Sequence, residues 1–562
     1  MDSLLSVPLE GLGLFSHGHA AQAAVSSALA GVVFHLTLPQ WMDIENFLYT
    51  LIAVFTLAPF GLGTALFLNG YSLFDSFARV SILTLGFYGG LFSSMTIYRV
   101  FFHRLRKFPG PLDLKISRLF SALRAAKKVQ YQNVVAKLHD EYGDFVRTGP
   151  REICVVRASA CQLIYGTNSN CRKSTFYGQV DYDPRKTHIV GATDPDGHRR
   201  RRRAWDRGLS SKALQMYAPQ AKALVDKFVS QISRQKGPID ARDWSMYLAF
   251  DIIGEVGFGK TFGCVETGQD HPAIMAIHDH MEVVGVAGHV PWLLNMFSRL
   301  PSKGYAPFYQ YNSALLDLTH QNYARDKAPQ VIMGWLYKAV AEKDISASPT
   351  AKSLEEDCRA LIIAGSDTNG ATLVTTLFYL IKNPHIMKKL QAQIDATIPT
   401  PADWKLEKVK SITYINNILD EVLRLRPAVM VGGYRVTPPE GIYVDEQFIP
   451  GKTHVFVPIQ TIQRDPRYWP QAEEFIPERW GERYEEMGTA DAPYMPFSLG
   501  PYMCAGKHLA IMSLSIAVCG IAQNFDLAFA PGETGEPFYN GAKDTFTTTL
   551  PPLMVQFTPR KK

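Results

Sequence analysis

Two runs without charge near the N-terminus constrain this chain most. From Asn46 to Phe74, and again from Val80 to Tyr98, no residue is charged. Both runs hold a segment, Phe47 to Leu68 and Val80 to Tyr98, near the ~20 residues a helix needs to cross a bilayer. In lipid the backbone must satisfy its own hydrogen bonds, so such segments span as helices. Ala21 to Leu38 is a weaker, alanine-rich third candidate, and a buried helical hairpin is the alternative reading. Met1 to His19 lacks the basic start of a cleaved signal peptide. After the last run come Arg99, His103, Arg104, Arg106 and Lys107. Positive charge marks the cytosolic side of a span, which places everything beyond it in the cytosol. Residues 1–106 thus read as an anchor with two or three transmembrane helices, and 107–562 as the body of the protein.

The body reads as mainly α with small β-sheets. Ala213 to Ile232 and Met246 to Phe258 carry apolar residues at helical spacing. Strands are expected near Phe145 to Val156 and from Tyr434 to Pro458, with turns at Glu440-Gly441 and Pro450-Gly451. The length of 562 residues with 46% hydrophobic content allows a large core, and a net charge of +6 is too mild to argue for nucleic-acid binding. Seven scattered cysteines form no C-x-x-C pair or zinc spacing, which suits a reducing compartment.

One of those cysteines stands apart. Phe497, Gly500, Cys504 and Gly506 form F-x-x-G-x-x-x-C-x-G, followed by an apolar helix from Leu509 to Ile521. Glycines let the backbone turn tightly and approach a flat ligand face. A helix beginning just beyond the cysteine aims its amides at the sulfur and favours the thiolate. Phe497 would screen that sulfur from water. A buried structural cysteine is the alternative for such a residue taken alone. The spacing, however, resembles the haem loop of the cytochrome P450 family, in which Cys504 would be the axial ligand of haem b. One position departs: the family mostly carries a basic residue two before the cysteine, and this chain has Tyr502, which brings a hydrogen-bond donor and no charge.

Three further segments match the family in the expected order. In Ala364-Gly365-Ser366-Asp367-Thr368, within an apolar helix from about Ala360 to Ile381, the resemblance implies a local opening of the helix. Thr368 would hydrogen-bond oxygen at the iron and Asp367 would help bring protons in. Glu421 and Arg424 share a helix face at i, i+3, and the resemblance joins them with Arg479 of Pro477-Glu478-Arg479-Trp480 in a buried ion network. In His198-Arg199-Arg200-Arg201-Arg202-Arg203, a nuclear-signal or solvated-face reading competes with haem binding. His198 and Arg202 lie one turn apart and could reach the same propionates; Arg435 resembles another propionate position. The resemblance runs from about Phe108 to Pro559.

What it implies is a membrane-anchored haem-thiolate monooxygenase, inserting one oxygen atom from O2 into an organic substrate. With no fused reductase expected after Cys504, electrons from NADPH would arrive through a separate flavoprotein reductase, and the setting would be the endoplasmic reticulum. The anchor and the phrase Tyr98 to Pro111 resemble fungal members, and the chain resembles tryprostatin-type indole alkaloid hydroxylases among them. Pocket segments such as Val283 to Trp292, Ala428 to Val431 and Phe546-Thr547 hold no carboxylate or arginine, which favours a bulky, mostly apolar secondary metabolite: an alkaloid, terpenoid or polyketide. Two rival readings are isomerisation or ring coupling on the same scaffold, and a non-catalytic haem-binding scaffold or sensor.

Overall fold

The computed structural model describes residues 20–37, 47–179, 181, 183–298 and 306–561. It divides into two compact units, Met1–Ser117 and Arg118–Lys562. In the first unit three helices are long and apolar enough to cross a membrane: Ala20–Thr37, Tyr49–Leu68 and Leu73–Phe102. Leu38, Asn46 and Met1 to His19 lie outside the described residues. The third of these helices starts earlier than the charge-free run, because Ser72 caps it by accepting from the Asp75 amide. It thereby takes in Arg79, whose guanidinium lies 4.5 Å from the Tyr71 ring centre. The first and third helices approach closely enough that a Cβ on Gly90 would stand 1.9 Å from the Ala28 carbonyl oxygen. Small residues at such a contact let two helix backbones pack in lipid. Leu57, Phe60 and Phe77 point outward and are exposed.

The second unit is mostly helical. A long helix, Ala351–Lys382, runs through its core against Ala241–Phe258. Gly365 and Gly370 sit at that contact: a Cβ at Gly365 would meet Ile253 Cδ1 at 2.5 Å, and one at Gly370 would meet Met246 Sδ at 2.2 Å. Their role is close helix packing. The expected opening at Ala364 to Thr368 is absent, and the helix is continuous there. The hydroxyls of Ser366 and Thr368 and the Asn369 amide bond back to the carbonyls four residues earlier, at 2.6 to 2.8 Å. This back-bonding lets polar side chains sit mid-helix without breaking the ladder.

The main sheet has five strands in the order Phe145–Gly149, Glu152–Val155, His454–Phe456, Arg435–Val436 and Arg172–Lys173. Glu152–Val155 and His454–Phe456 run parallel and their other neighbours antiparallel. The register sets Lys173 directly opposite Arg435. A short hairpin, Lys543–Thr545 with Thr547–Thr549, turns at Phe546. The helix Lys507–Asn524 packs against the long helix and against Thr413–Leu425.

Candidate active site

The cysteine loop is held by its own backbone. Its turn closes with the Cys504 amide donating to the Phe497 carbonyl at 2.9 Å and the Met503 amide to Gly500 at 3.0 Å. Gly500 has φ +61, and a Cβ there would stand 2.4 Å from the Tyr165 carbonyl oxygen, so no other residue fits without displacing the loop. Gly506 caps the following helix, Lys507–Asn524. The amides of Gly506 and Lys507 hydrogen-bond the Cys504 sulfur and pull its pKa down, with help from Arg202; burial outweighs them and leaves the thiol raised. Cys504 is nonetheless accessible to solvent, the other six cysteines being buried. Phe497 is half-buried, and its ring lies 5.9 Å from Lys507 Nζ.

Arg202 reaches this loop directly. Its guanidinium donates to the Met503 carbonyl at 2.7 Å and to Asp206 at 2.7 Å, so it braces the backbone next to Cys504. Arg201 turns inward instead and pairs with buried Asp357 at 2.8 Å. His198 is buried, edge-on to Tyr502 with ring centres 4.8 Å apart. Burial and the surrounding Lys173, Arg202, Arg201 and Arg435 push its pKa down to about 3. The same cations disfavour the charged form of His198 until an anion joins them.

Tyr502 is the centre of an arrangement that sequence reasoning missed. Lys173 Nζ lies 4.9 Å from its ring centre and the Arg435 guanidinium 5.1 Å. Both cations are buried, and they are direct cross-strand neighbours. Like charges in that relation are destabilising. No ion pair among the described residues involves either one. Lys173 donates only to the carbonyls of Ile189 and Val190, and Arg435 to Tyr177 and the Tyr434 carbonyl. The buried Arg435 Nε has no hydrogen-bond partner. Burial and the nearby arginines drag the Lys173 pKa well below its usual value. A buried cluster of cations without a carboxylate calls for an anionic ligand. A haem, with two propionates and an iron for Cys504, fits these residues.

Glu421, Arg424 and Arg479 are all fully buried. Glu421 accepts from Arg424 Nε and Nη2, Arg479 Nε, Trp480 Nε1 and the Ile476 amide, each at 2.9 Å. Arg424 and Arg479 spend their remaining donors on backbone carbonyls between Gln463 and Glu474, with one from Arg479 to the Met487 sulfur. Asp367 is buried and Thr368 half-buried on the long helix. A cavity elsewhere in the unit is lined by the segments expected to meet substrate, among them Val284, His289, Val431 and Phe546. It differs from expectation in one respect: it also holds a carboxylate, Asp544. Asp544 lies two residues before Phe546 on the hairpin that packs against the long helix.

The family model for cytochrome P450 matches residues 109–557. The chain belongs to the cytochrome P450 family. This P450 is 37% identical over 474 residues to the cytochrome P450 monooxygenase orf5 of Eupenicillium brefeldianum, covering 84% of this chain and 94% of that protein. It is 33% identical to the cytochrome P450 monooxygenase FCK2 of Fusarium pseudograminearum, over 88% of this chain and 89% of the relative. The tryprostatin B 6-hydroxylase of Aspergillus fumigatus is 29% identical over 86% of both chains. This P450 is thus a haem-thiolate monooxygenase, and its relatives here are fungal.

Proposed function

We propose that this P450 is a membrane-anchored monooxygenase of fungal secondary metabolism, oxidising a bulky, mostly apolar molecule with electrons from NADPH through a separate flavoprotein reductase. The observation that carries the assignment is Cys504 in a loop whose only accessible thiol receives the Gly506 and Lys507 amides. Haem bound there would supply dioxygen activation, with a thiolate donating electron density to iron. The protein's own groups hold and orient the rest. Lys173 and Arg435, with His198 as a hydrogen-bond partner, would take the propionates; Arg202 would hold the loop at Met503. Thr368, its hydroxyl already bonded to the Ala364 carbonyl, would present an oxygen to the substrate side, and buried Asp367 would relay protons to it. The Glu421 network would keep the Cys504 region folded.

The apolar helices support a multi-pass anchor, and the basic residues after Tyr98 support a cytosolic catalytic unit at the endoplasmic reticulum. The test of function is spectroscopic. The reduced, carbon monoxide-bound protein is expected to show the red-shifted Soret band of thiolate-ligated haem, and Cys504→Ala to lose it. Retention of that band in the variant would overturn the assignment. With a reductase and substrate present, product mass should rise by one oxygen; an unchanged mass would favour isomerisation, and a loss of two hydrogens would favour ring coupling.

A further inference from the structure

The cavity lined by Val284, His289, Val431, Tyr434, Asp544 and Phe546 is apolar save for the His289 ring, the Tyr434 phenol and one carboxylate. His289 is buried against Tyr131, ring centres 4.0 Å apart, and burial together with Arg118 pushes its pKa down to about 3, so it carries no charge. Asp544 is different. Its one partner is the backbone amide of Phe546, and no ion pair among the described residues includes it. Lys543, its chain neighbour, is engaged with Glu282, and Arg118, whose guanidinium lies 5.4 Å from the Tyr434 ring centre, pairs with Glu152 at 2.9 Å. Burying a carboxylate without a cation is costly. Aromatic rings surround the same cavity. Phe176 lies 4.7 Å from Tyr434 and 5.8 Å from Phe546, centre to centre. Ring faces attract cations, and rings beside a carboxylate are the usual surroundings of a bound ammonium group.

We propose that Asp544 and the rings of Phe176, Tyr434 and Phe546 form a subsite for a basic nitrogen on the substrate. The proposal rests on the monooxygenase reading and narrows it: the substrate is apolar in bulk and carries an amine that is protonated when bound. The ammonium ion would give Asp544 the partner it lacks and place the rest of the molecule along Val284 and Val431. Burial raises the Asp544 pKa to about 7, against the single pull of the Phe546 amide. The carboxyl is therefore mostly neutral below pH 7 and attracts cations above it. The other titratable groups around it do not change charge in this range. His289 stays neutral, and burial holds the Tyr434 phenol well above its usual pKa.

The experiment uses purified full-length haem protein and two probes of one shape, (2-naphthylmethyl)trimethylammonium and its neutral isostere 2-neopentylnaphthalene. Binding of each is measured by equilibrium dialysis to wild type and to Asp544→Asn. The cation should bind Asp544→Asn about tenfold or more weaker than wild type, with the neutral probe within about twofold. A loss shared equally by both probes, or none for the cation, would overturn the proposal. Should Asp544→Asn fail to load haem, wild type alone decides. Its affinity for the cation should rise several-fold from pH 6 to pH 8 while the neutral probe stays flat; a flat cation profile overturns the subsite. Failure of the monooxygenase reading is seen separately, as absence of the thiolate Soret band. A protein with that band and no charge discrimination would sink the subsite alone.

Discussion

Replacing Glu421 by Gln should destabilise this P450 more than any other single-atom exchange in the second unit. The carboxylate accepts five hydrogen bonds, three at Oε1 and two at Oε2. Whichever way a Gln amide is set, its NH2 faces at least two of those donors and can accept from neither. The exchange also removes the only negative charge bound to two fully buried guanidiniums. Burial already pulls the Arg479 pKa below its usual value with Glu421 in place, so desolvation outweighs attraction even in the intact network. Breaking a buried pair costs about 3–5 kcal/mol, and each stranded donor about 1–3 kcal/mol. These overlap and do not add in full. Against a typical total of about 5–15 kcal/mol, the lower figure alone removes a large part of the stability.

The assay is chemical unfolding of the detergent-solubilised protein, with haem content at low and high expression temperature alongside. Glu421→Gln should shift unfolding by at least about 3 kcal/mol and load haem only in the cold. The control is Glu486→Gln, which breaks the solvent-facing pair of Arg483 and Glu486 and should leave the unfolding transition nearly where it is, because solvent screens an exposed pair. If Glu421→Gln unfolds within that control's range, the network does not hold the fold and the reasoning fails.

Three further outcomes are expected. Lys173→Met should weaken haem retention roughly tenfold or more, the loss of one charged hydrogen bond of about 1.5–3 kcal/mol, and adding Tyr502→Arg should restore much of it; haem per polypeptide unchanged in Lys173→Met would return the lysine to a purely structural role. Thr368→Ala removes one methyl group and a hydroxyl bonded within its own helix, so the protein should fold, bind substrate and accept electrons, but divert them to peroxide; unchanged coupling of NADPH use to product would refute the proton-delivery role. Sealed microsomes should leave the unit beyond Lys107 open to added protease, and the membrane should retain the full chain through carbonate washing; protection of the catalytic unit would reverse the orientation.

Local spacing made much of this legible in the sequence. The charge-free runs, the F-x-x-G-x-x-x-C-x-G loop and the Glu421–Arg424 pair are each written within a few consecutive turns or a single tight loop, where chain geometry fixes which side chains meet. The opening of the long helix was misread for a local reason as well. A glycine amid polar residues looks like a breaker, but Gly365 and Gly370 are small because Ile253 and Met246 press against them. That neighbour belongs to another helix and leaves no mark beside the glycines. Asp544 went unnoticed for the same kind of reason. It is one ordinary charged residue in the sequence, and its isolation exists only where the hairpin meets the helix Pro272–Ala287.

Tyr502 shows how a departure from a family pattern can be a relocation rather than a loss. From sequence the phenol replaces a cation and only removes charge. In the fold its ring lies within 4.9 Å of Lys173 Nζ and 5.1 Å of the Arg435 guanidinium. An arginine at 502 would set a further cation against that pair and would take away the ring faces that attract both. In the wild-type background Tyr502→Arg should therefore fail to improve haem retention, although it restores the family's usual residue. Only after Lys173 is neutralised does position 502 have room for a charge. The order of effects is the signature: Tyr502→Arg neutral or harmful alone, helpful beside Lys173→Met. A benefit of equal size in both backgrounds would mean that the two positions act independently, and that Lys173 does not stand in for the missing base.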